Sequence, residues 1–345
     1  MADPASACVV HFMLTKSSIV LALILLLTAP LNANDSTAEL ATGGLVFVQN
    51  DSIEMKSEDL FISSAEIRVT YRFFNRTARD VTVLVAFPMP DVKGEQDAPV
   101  ALPTDDPVNL LDFRTSVHGK PVETRAEQRV FAAGVDRTQF LRDRGIPLTP
   151  HLGSTNEALD RLPRENWDEL LRFGLAGIEE YDVGKGMQKH LAARWTLRTT
   201  FFWEQTFPAR AETVIEHQYR PSVGESVGTA LGSAASAKEP WFADYQRKYC
   251  LDRDFLNSVA RASRGARYGA PFAEERLDYV LKTGANWAGP IGDFRLVVDK
   301  GEPSNLVSFC ADGVKKISPT RFEWRKKDFR PEGNFAVLIL KKPPQ

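Results

Sequence analysis

Residues 68–90 read RVTYRFFNRTARDVTVLVAFPMP. In the first arm Val69, Tyr71 and Phe73 share one face while Arg68, Thr70 and Arg72 share the other. In the second arm Val81, Val83, Val85 and Phe87 oppose Thr82, Leu84 and Ala86. A period of two is the mark of a strand. The polar stretch NRTARD between the arms is turn-forming, which predicts an antiparallel hairpin with one face on a core. Pro88 and Pro90 have no backbone N–H and end the ladder.

Working outward, strands ELATGGLVFVQ and SIEMKSEDLFIS precede this stretch, and LLDFRTSVHGKPV follows it. Regular short strands with polar turns predict a β-sandwich over residues 34–223. A helical insertion interrupts it at about residues 139–190. Its clearest element is LPRENWDELLRFGLAGI, where Trp167, Leu170, Leu171, Leu175 and Ile178 recur at helical spacing behind Pro163. Strands resume in ARWTLRTTFFWEQTFPARAETVIEHQYRPSV. Residues 224–250 open with GESVGTALGSAASAKEP, small and poor in large apolar residues, and read as a flexible linker. Residues 251–345 form a second β-rich domain, with short helices at DRDFLNSVARAS and FAEERL. Five strands follow at YVLKTGANW, GDFRLVVDKG, NLVSFC, RFEWRKK and FAVLILKK. The expected fold is mainly β, two β-sandwich-like domains, the first with a helical insertion.

At 345 residues and 43% hydrophobic, the chain can bury such cores. The formal net charge of -2 gives neither a nucleic-acid-binding excess nor an acidic tail. Residues 1–33 differ in kind. Lys16 precedes an apolar run from Ile19 to Leu27, and TAPLNAN supplies small residues for cleavage after Ala33. This reads as a secretory signal peptide. The run is well short of the roughly 20 residues a membrane span needs, so the mature chain is expected without a transmembrane segment, in the periplasm or secreted.

Removing the leader, which holds Cys8, leaves Cys250 and Cys310, most simply a disulfide in an oxidising compartment. Closing a loop of about sixty residues stabilises a fold by about 4 kcal/mol on the chain-entropy view. Free buried thiols or a metal pair are the alternatives. With no CxxC and no histidine nearby in sequence, no metal or other cofactor is predicted.

The sharpest enzyme-like signal is Gly224-Glu225-Ser226-Val227-Gly228, which fits the GxSxG nucleophile elbow of serine hydrolases. All five histidines (His11, His118, His151, His190 and His217) precede Ser226, which excludes a triad in hydrolase order. An upstream base, His217 or His190, is the remaining catalytic alternative to a plain Gly/Ser loop.

Asp91, Glu95, Asp97, Asp105, Asp106 and Asp112 gather in DVKGEQDAPVALPTDDPVNLLD, a solvated loop rather than a calcium site because EF-hand spacing is missing. In VKKISPTRFEWRKKDFRPEG, Phe322 and Trp324 share one face of a strand and Arg321, Glu323 and Arg325 the other. A core face plus a solvated face explains this as well, and the exported location favours that reading, so no nucleic-acid partner is expected. Phe201, Phe202, Trp203 and Phe207 in TFFWEQTF read as aromatic core rather than a sugar platform. Gly184-Lys185-Gly186 lacks the rest of a phosphate loop.

The blocks NDSTAELATGGLVF, SEDLFIS, YRFFNRTARDVTVLVAFPMPD, WEQTFP, YRPSVG, TGANWAGPIGDFRLVVDKG and NLVSFC resemble the bacterial domain-of-unknown-function family 4424, from about Asn34 to Leu340. The resemblance implies an exported protein and transfers no catalytic residue. FFNRT followed by VAFPMP, then HGKPVETRAEQRVFAAG and much later FPARAETVIEHQY, is similar in layout to the vault-protein and inter-alpha-trypsin domain. That likeness implies a binding or structural module, and the helical insertion departs from it. The functional expectation is an exported, non-enzymatic binding or structural protein whose partner is an unknown protein or a cell-envelope component. The alternative is an exported hydrolase using Ser226.

Overall fold

The computed structural model describes residues 35–41, 44–94, 100–182, 184, 186–233, 235–264 and 271–342. All fall in one compact unit, Leu31–Gln345. The leader expected over residues 1–33 lies outside the described residues. In chain order come β1 (Ser36–Ala41), β2 (Gly44–Val48), β3 (Ile53–Ile62), β4 (Ile67–Asn75), β5 (Val81–Pro88), β6 (Val92–Lys93), β7 (Val100–Ala101), β8 (Arg114–Val117), β9 (Lys120–Pro121), β10 (Arg125–Ala132) and β11 (Val135–Asp136). The insertion follows as α1 (Thr138–Asp143), α2 (Gly153–Asp160), α3 (Trp167–Arg172) and the hairpin β12 (Ala176–Asp182) and β13 (Met187–Ala193). After it come β14 (Thr196–Phe207), β15 (Glu212–Tyr219), β16 (Val223–Ser226), α4 (Pro240–Tyr249) and α5 (Arg253–Ala262). The chain closes with β17 (Ala273–Tyr279), β18 (Ile291–Asp299), β19 (Leu306–Phe309), β20 (Lys315–Lys316), β21 (Arg321–Phe329) and β22 (Phe335–Lys341).

The fold is mainly β, and its layers share a sheet. One eight-stranded sheet runs β20-β21-β18-β3-β4-β15-β8-β9. A second runs β11-β10-β14-β5-β1-β2 with β6 added on β14, and a third β19-β22-β17-β16-β7. The eight-stranded sheet packs on the second through Phe73 and Phe207, whose rings are 5.7 Å apart, and through Phe87 and Trp203 around His217. It meets the third where Trp324 stacks on Phe335 and the Tyr71 and Tyr279 hydroxyls lie 3.3 Å apart. One apolar cluster runs through all three layers. Burying each large side chain in it contributes roughly 1.5–3 kcal/mol.

This arrangement corrects the expected boundary at residues 224–250. Strand β18, from the expected second domain, pairs in parallel with β3 of the first, with Leu296 opposite Leu60. The two sandwich-like layers are therefore built on a common sheet and not on separate halves of the chain. Nor is the segment a free linker. Its β16 pairs with β17 and β7, and Leu231 and Tyr249 are buried against Val259, Phe272, Leu338 and Leu340. Thr229 and Tyr245 both donate to the buried Glu274 carboxylate, at 2.6 and 2.7 Å. Two hydrogen bonds to a desolvated charge hold a composition that looks flexible.

The opening stretch is also corrected in part. Val69, Tyr71 and Phe73 are buried and Arg68 and Arg72 exposed, as the alternation requires. The two arms, however, do not pair with each other. Strand β4 lies between β3 and β15, and β5 lies between β14 and β1 in the opposite sheet. The NRTARD segment is an arch across the core, held by Asn75, whose buried amide donates to the carbonyls of Arg79 and Phe207, both at 2.8 Å. Its Oδ1 accepts from the Thr77 N–H and hydroxyl.

In the insertion, the helix expected over LPRENWDELLRFGLAGI is short. Gly174, at φ +68°, ends it, and the chain continues as β12 with Ile178 exposed. The helix expected at FAEERL is part of strand β17 instead, whereas that at DRDFLNSVARAS is α5, capped by the Asp252 carboxylate accepting from the Phe255 N–H. Among the described residues no helix is long and apolar enough to cross a membrane.

Candidate functional site

Ser226 ends strand β16, opposite Glu274 of β17. Its hydroxyl donates to the Gly228 carbonyl at 2.6 Å. The chain then bends, and the next helical turn, Ser236–Lys238, is remote in sequence, so the strand–turn–helix of a nucleophile elbow is not formed here. The two candidate bases are engaged elsewhere. His217 pairs with Asp35 and His190 with Asp160, each at 2.9 Å.

Cys250 and Cys310 form the expected disulfide, with Cα atoms 5.0 Å apart. Cys250 closes α4 in the left-handed region, φ 51°, and Cys310 directly follows β19, so the bond ties the helix to the edge of the third sheet. Phe201, Phe202, Trp203 and Phe207 are all buried. On β21, Arg321, Arg325 and Lys327 pair with Asp299, Glu323 and Asp293, and Trp324 turns to the core. The Gly184 and Gly186 N–H groups close a turn onto Asp182.

The acidic stretch does not act together. Glu95 and Asp97 lie outside the described residues, Asp106 accepts from the Val108 and Asn109 N–H groups, and Asp112 pairs with Arg114. Asp91 stands apart from them. The segment Met89–Gly94 is pinned at one end to β14 and at the other to Trp195, the residue before that strand. The Met89 N–H donates to the Thr199 carbonyl and the Gly94 N–H to that of Trp195, both at 2.9 Å. A Cβ on Gly94 would collide with the Ala193 carbonyl, so only glycine permits this approach. His151 Nε2 donates to the Lys93 carbonyl at 2.6 Å.

This pinned segment forms one wall of a cleft of about 490 Å³. The opposite wall comes from Lys248 of α4, Asp278 of β17, Val280, Asn334 and Ala336 of β22. Met89, Pro90, Val280 and Ala336 make it apolar, and Asp91, Lys93, Lys248 and Asp278 bring charge to it. The Asp91 side chain is only 15% exposed, with its Oδ2 3.6 Å from Arg198 Nε and, among the described residues, no hydrogen-bond partner on Oδ1. Burial pushes its carboxyl up to about 6, against the pull of Arg198 and Lys93. Across the cleft, burial works against the Lys248 ammonium, but Asp278 at 3.1 Å outweighs it and raises the pKa. A concave apolar wall with a few converging charges and a perturbed carboxyl is the usual form of a ligand site.

Sequence reasoning singled out Asp91 for the wrong company. Lys248, Asp278 and Asn334 carry no motif, and only the closure of the third sheet brings them to Asp91. The double proline before Asp91 was the available signal, because it forces the chain out of the ladder beside a strand.

A crystal structure of a provisionally named nutrient binding protein from Legionella pneumophila subsp. pneumophila str. Philadelphia 1 is similar over 89% of this chain and 70% of its own, at 18% identity and a TM-score of 0.44. No curated protein matches. Residues 33–338 match the family described as Domain of unknown function (DUF4424), and the chain belongs to that family.

Proposed function

We propose that this is an exported, non-enzymatic binding protein that takes a small ligand in the cleft between Asp91 and α4. The observation that carries this reading is the convergence of Asp91, Lys93, Lys248 and Asp278 on an apolar wall, from segments far apart in sequence. The leader-like residues 1–33 and the Cys250–Cys310 bond support a periplasmic or secreted location. The placement of Ser226 on a strand, its hydroxyl donating to Gly228, speaks against the hydrolase alternative.

The test uses the disulfide-bonded chain from residue 34 onward. Pooled sugars, amino acids, peptides, organic acids and lipids are screened for a saturable rise in melting temperature, alongside a serine-directed probe. The expected result is a rise with one pool, lost on Ala336→Trp, which fills the cleft. Labelling of Ser226, or no rise with any pool, overturns the proposal. Fractionation of cells producing the full chain tests export, and retention of the uncleaved form in the cytoplasm counts against it.

A further inference from the structure

Resting on the reading of the cleft as a ligand site, we infer that its ligand is a small zwitterion with an apolar substituent, an α-amino acid or a short peptide. The four charged groups lining the cleft, Asp91, Lys93, Lys248 and Asp278, sum to zero. They are not equally committed. Lys248 and Asp278 neutralise each other at 3.1 Å. Asp91 and Lys93 are held more loosely: Asp91 is ion-paired with Arg198 at 3.6 Å, too long for a hydrogen bond, its Oδ1 has no hydrogen-bond partner among the described residues, and Lys93 is exposed, with its carbonyl engaged by His151.

One carboxyl with unmet hydrogen-bonding capacity and one exposed ammonium on the same wall match a ligand that carries one of each. Its ammonium meets the exposed edge of Asp91, its carboxylate meets Lys93, and Met89, Pro90, Val280 and Ala336 receive an apolar side chain. A lone anion would answer Lys93 but face two carboxylates, and a lone cation would answer Asp91 but leave Lys93 beside it. A polyol would meet neither charge and would find no exposed aromatic face. A volume of about 490 Å³ has room for an amino acid or a dipeptide. The titratable groups around Asp91 are Lys93, Arg198, Lys248 and Asp278, and burial holds the Asp91 carboxyl up at about 6. Binding is therefore expected to weaken as pH falls towards 5.

The experiment is calorimetric titration of the disulfide-bonded chain from residue 34 with leucine and the dipeptide Leu-Leu. Isoamylamine and 4-methylpentanoate serve as the analogues lacking the carboxylate and the amine, and glucose as the uncharged control. At least one of the two zwitterions is expected to bind, with both single-charge analogues at least tenfold weaker. Asp91→Asn should weaken the zwitterion tenfold or more and Lys93→Ala should weaken it without affecting the amine, while cooperative melting without ligand shows that each variant folds. Unchanged affinity in Asp91→Asn overturns the site assignment. Binding of glucose, of a single-charge analogue alone or of a lipid from the pooled screen, with neither zwitterion binding, overturns the ligand class and leaves the binding function standing. Absence of any ligand together with Ser226 labelling overturns the binding function itself.

Discussion

His217 Nε2 lies 2.9 Å from the Asp35 carboxylate, with both side chains fully buried. Tyr71, Phe87, Phe113 and Trp203 surround the imidazole with ring centroids between 4.8 and 5.6 Å. Burial pushes the Asp35 carboxyl up, and His217 opposes that rise. The same residue is held through its backbone, since its carbonyl accepts from Trp287 Nε1 at 2.7 Å, and Asn286 donates to the Ser36 hydroxyl at 2.8 Å. Removing one member of such a pair leaves the other desolvated and uncompensated, which costs about 3–5 kcal/mol. Asp35→Ala and His217→Ala are each expected to lose that much in urea unfolding, and the double variant much less than their sum. Full additivity would show that the pair is not coupled.

Asp91 gives a pH dependence of definite sign. Its folded-state pKa of about 6 is above the ordinary 3.8, so between those values the folded protein binds more protons than the unfolded chain. The contribution of this group to stability therefore falls as pH rises through that window, and is level above it. Asp91→Asn removes the titration. At pH 4 the variant should match the parent, and at pH 7 it should be more stable by on the order of 1–3 kcal/mol. Parallel stability curves from pH 4 to 7 would show that burial does not perturb this carboxyl.

The arch at residues 75–80 depends on one amide. Asn75 is wholly buried and its side-chain amide makes four hydrogen bonds, donating two and accepting two. Asn75→Ala leaves the Phe207 carbonyl without that buried donor, at about 1–3 kcal/mol, whereas the exposed Arg79 carbonyl keeps the Thr77 hydroxyl. Asn75→Asp should not rescue it, because a carboxylate would face two carbonyl oxygens. Chemical denaturation of both variants checks this, and wild-type stability in Asn75→Asp would contradict it.

Much of the fold was legible because it follows from local pattern. The alternation in 68–74 gave the buried faces of β4, and counting cysteines gave the disulfide without any geometry. What was not legible is partner choice. Val85 faces Trp203 and Tyr71 faces Ile215 across well over a hundred residues, and the turn between the arms holds no information about either. FAEERL looked helical because Glu274 and Glu275 look solvated, yet both are buried, satisfied by Thr229, Tyr245 and Lys341. The cleft was hidden for the same reason: its charges come from Asp91 and Lys93, from α4 and from β17, and no spacing connects them.

The disulfide closes a separation of 60 residues, worth about 4 kcal/mol by the chain-entropy view. Because Lys248 is two residues from Cys250, reduction should also loosen one wall of the cleft. Cys250→Ser with Cys310→Ser is expected to unfold at lower urea concentration and to bind ligand more weakly than the oxidised parent. An unchanged midpoint would mean that the third sheet and α4 hold without it.

The parallel join of β18 to β3 rests on a glycine. Strand β3 carries an irregularity between Met55 and Ser57, which leaves the Lys56 carbonyl standing towards β18. There it meets Gly292, where an added Cβ would lie 2.7 Å from that oxygen. The contact is with backbone, so no flexible side chain can move aside. Gly292→Ala must therefore either straighten the bulge, shifting the β3–β4 register that places Tyr71 and Phe73 in the core, or part the two strands that join the layers. Either route should cost about 1–3 kcal/mol, as overpacking does. Gly228→Ala is the control, since nothing lies within 4 Å of a Cβ there. Equal denaturation midpoints for the two variants would show that β18 and β3 meet less tightly than this geometry requires.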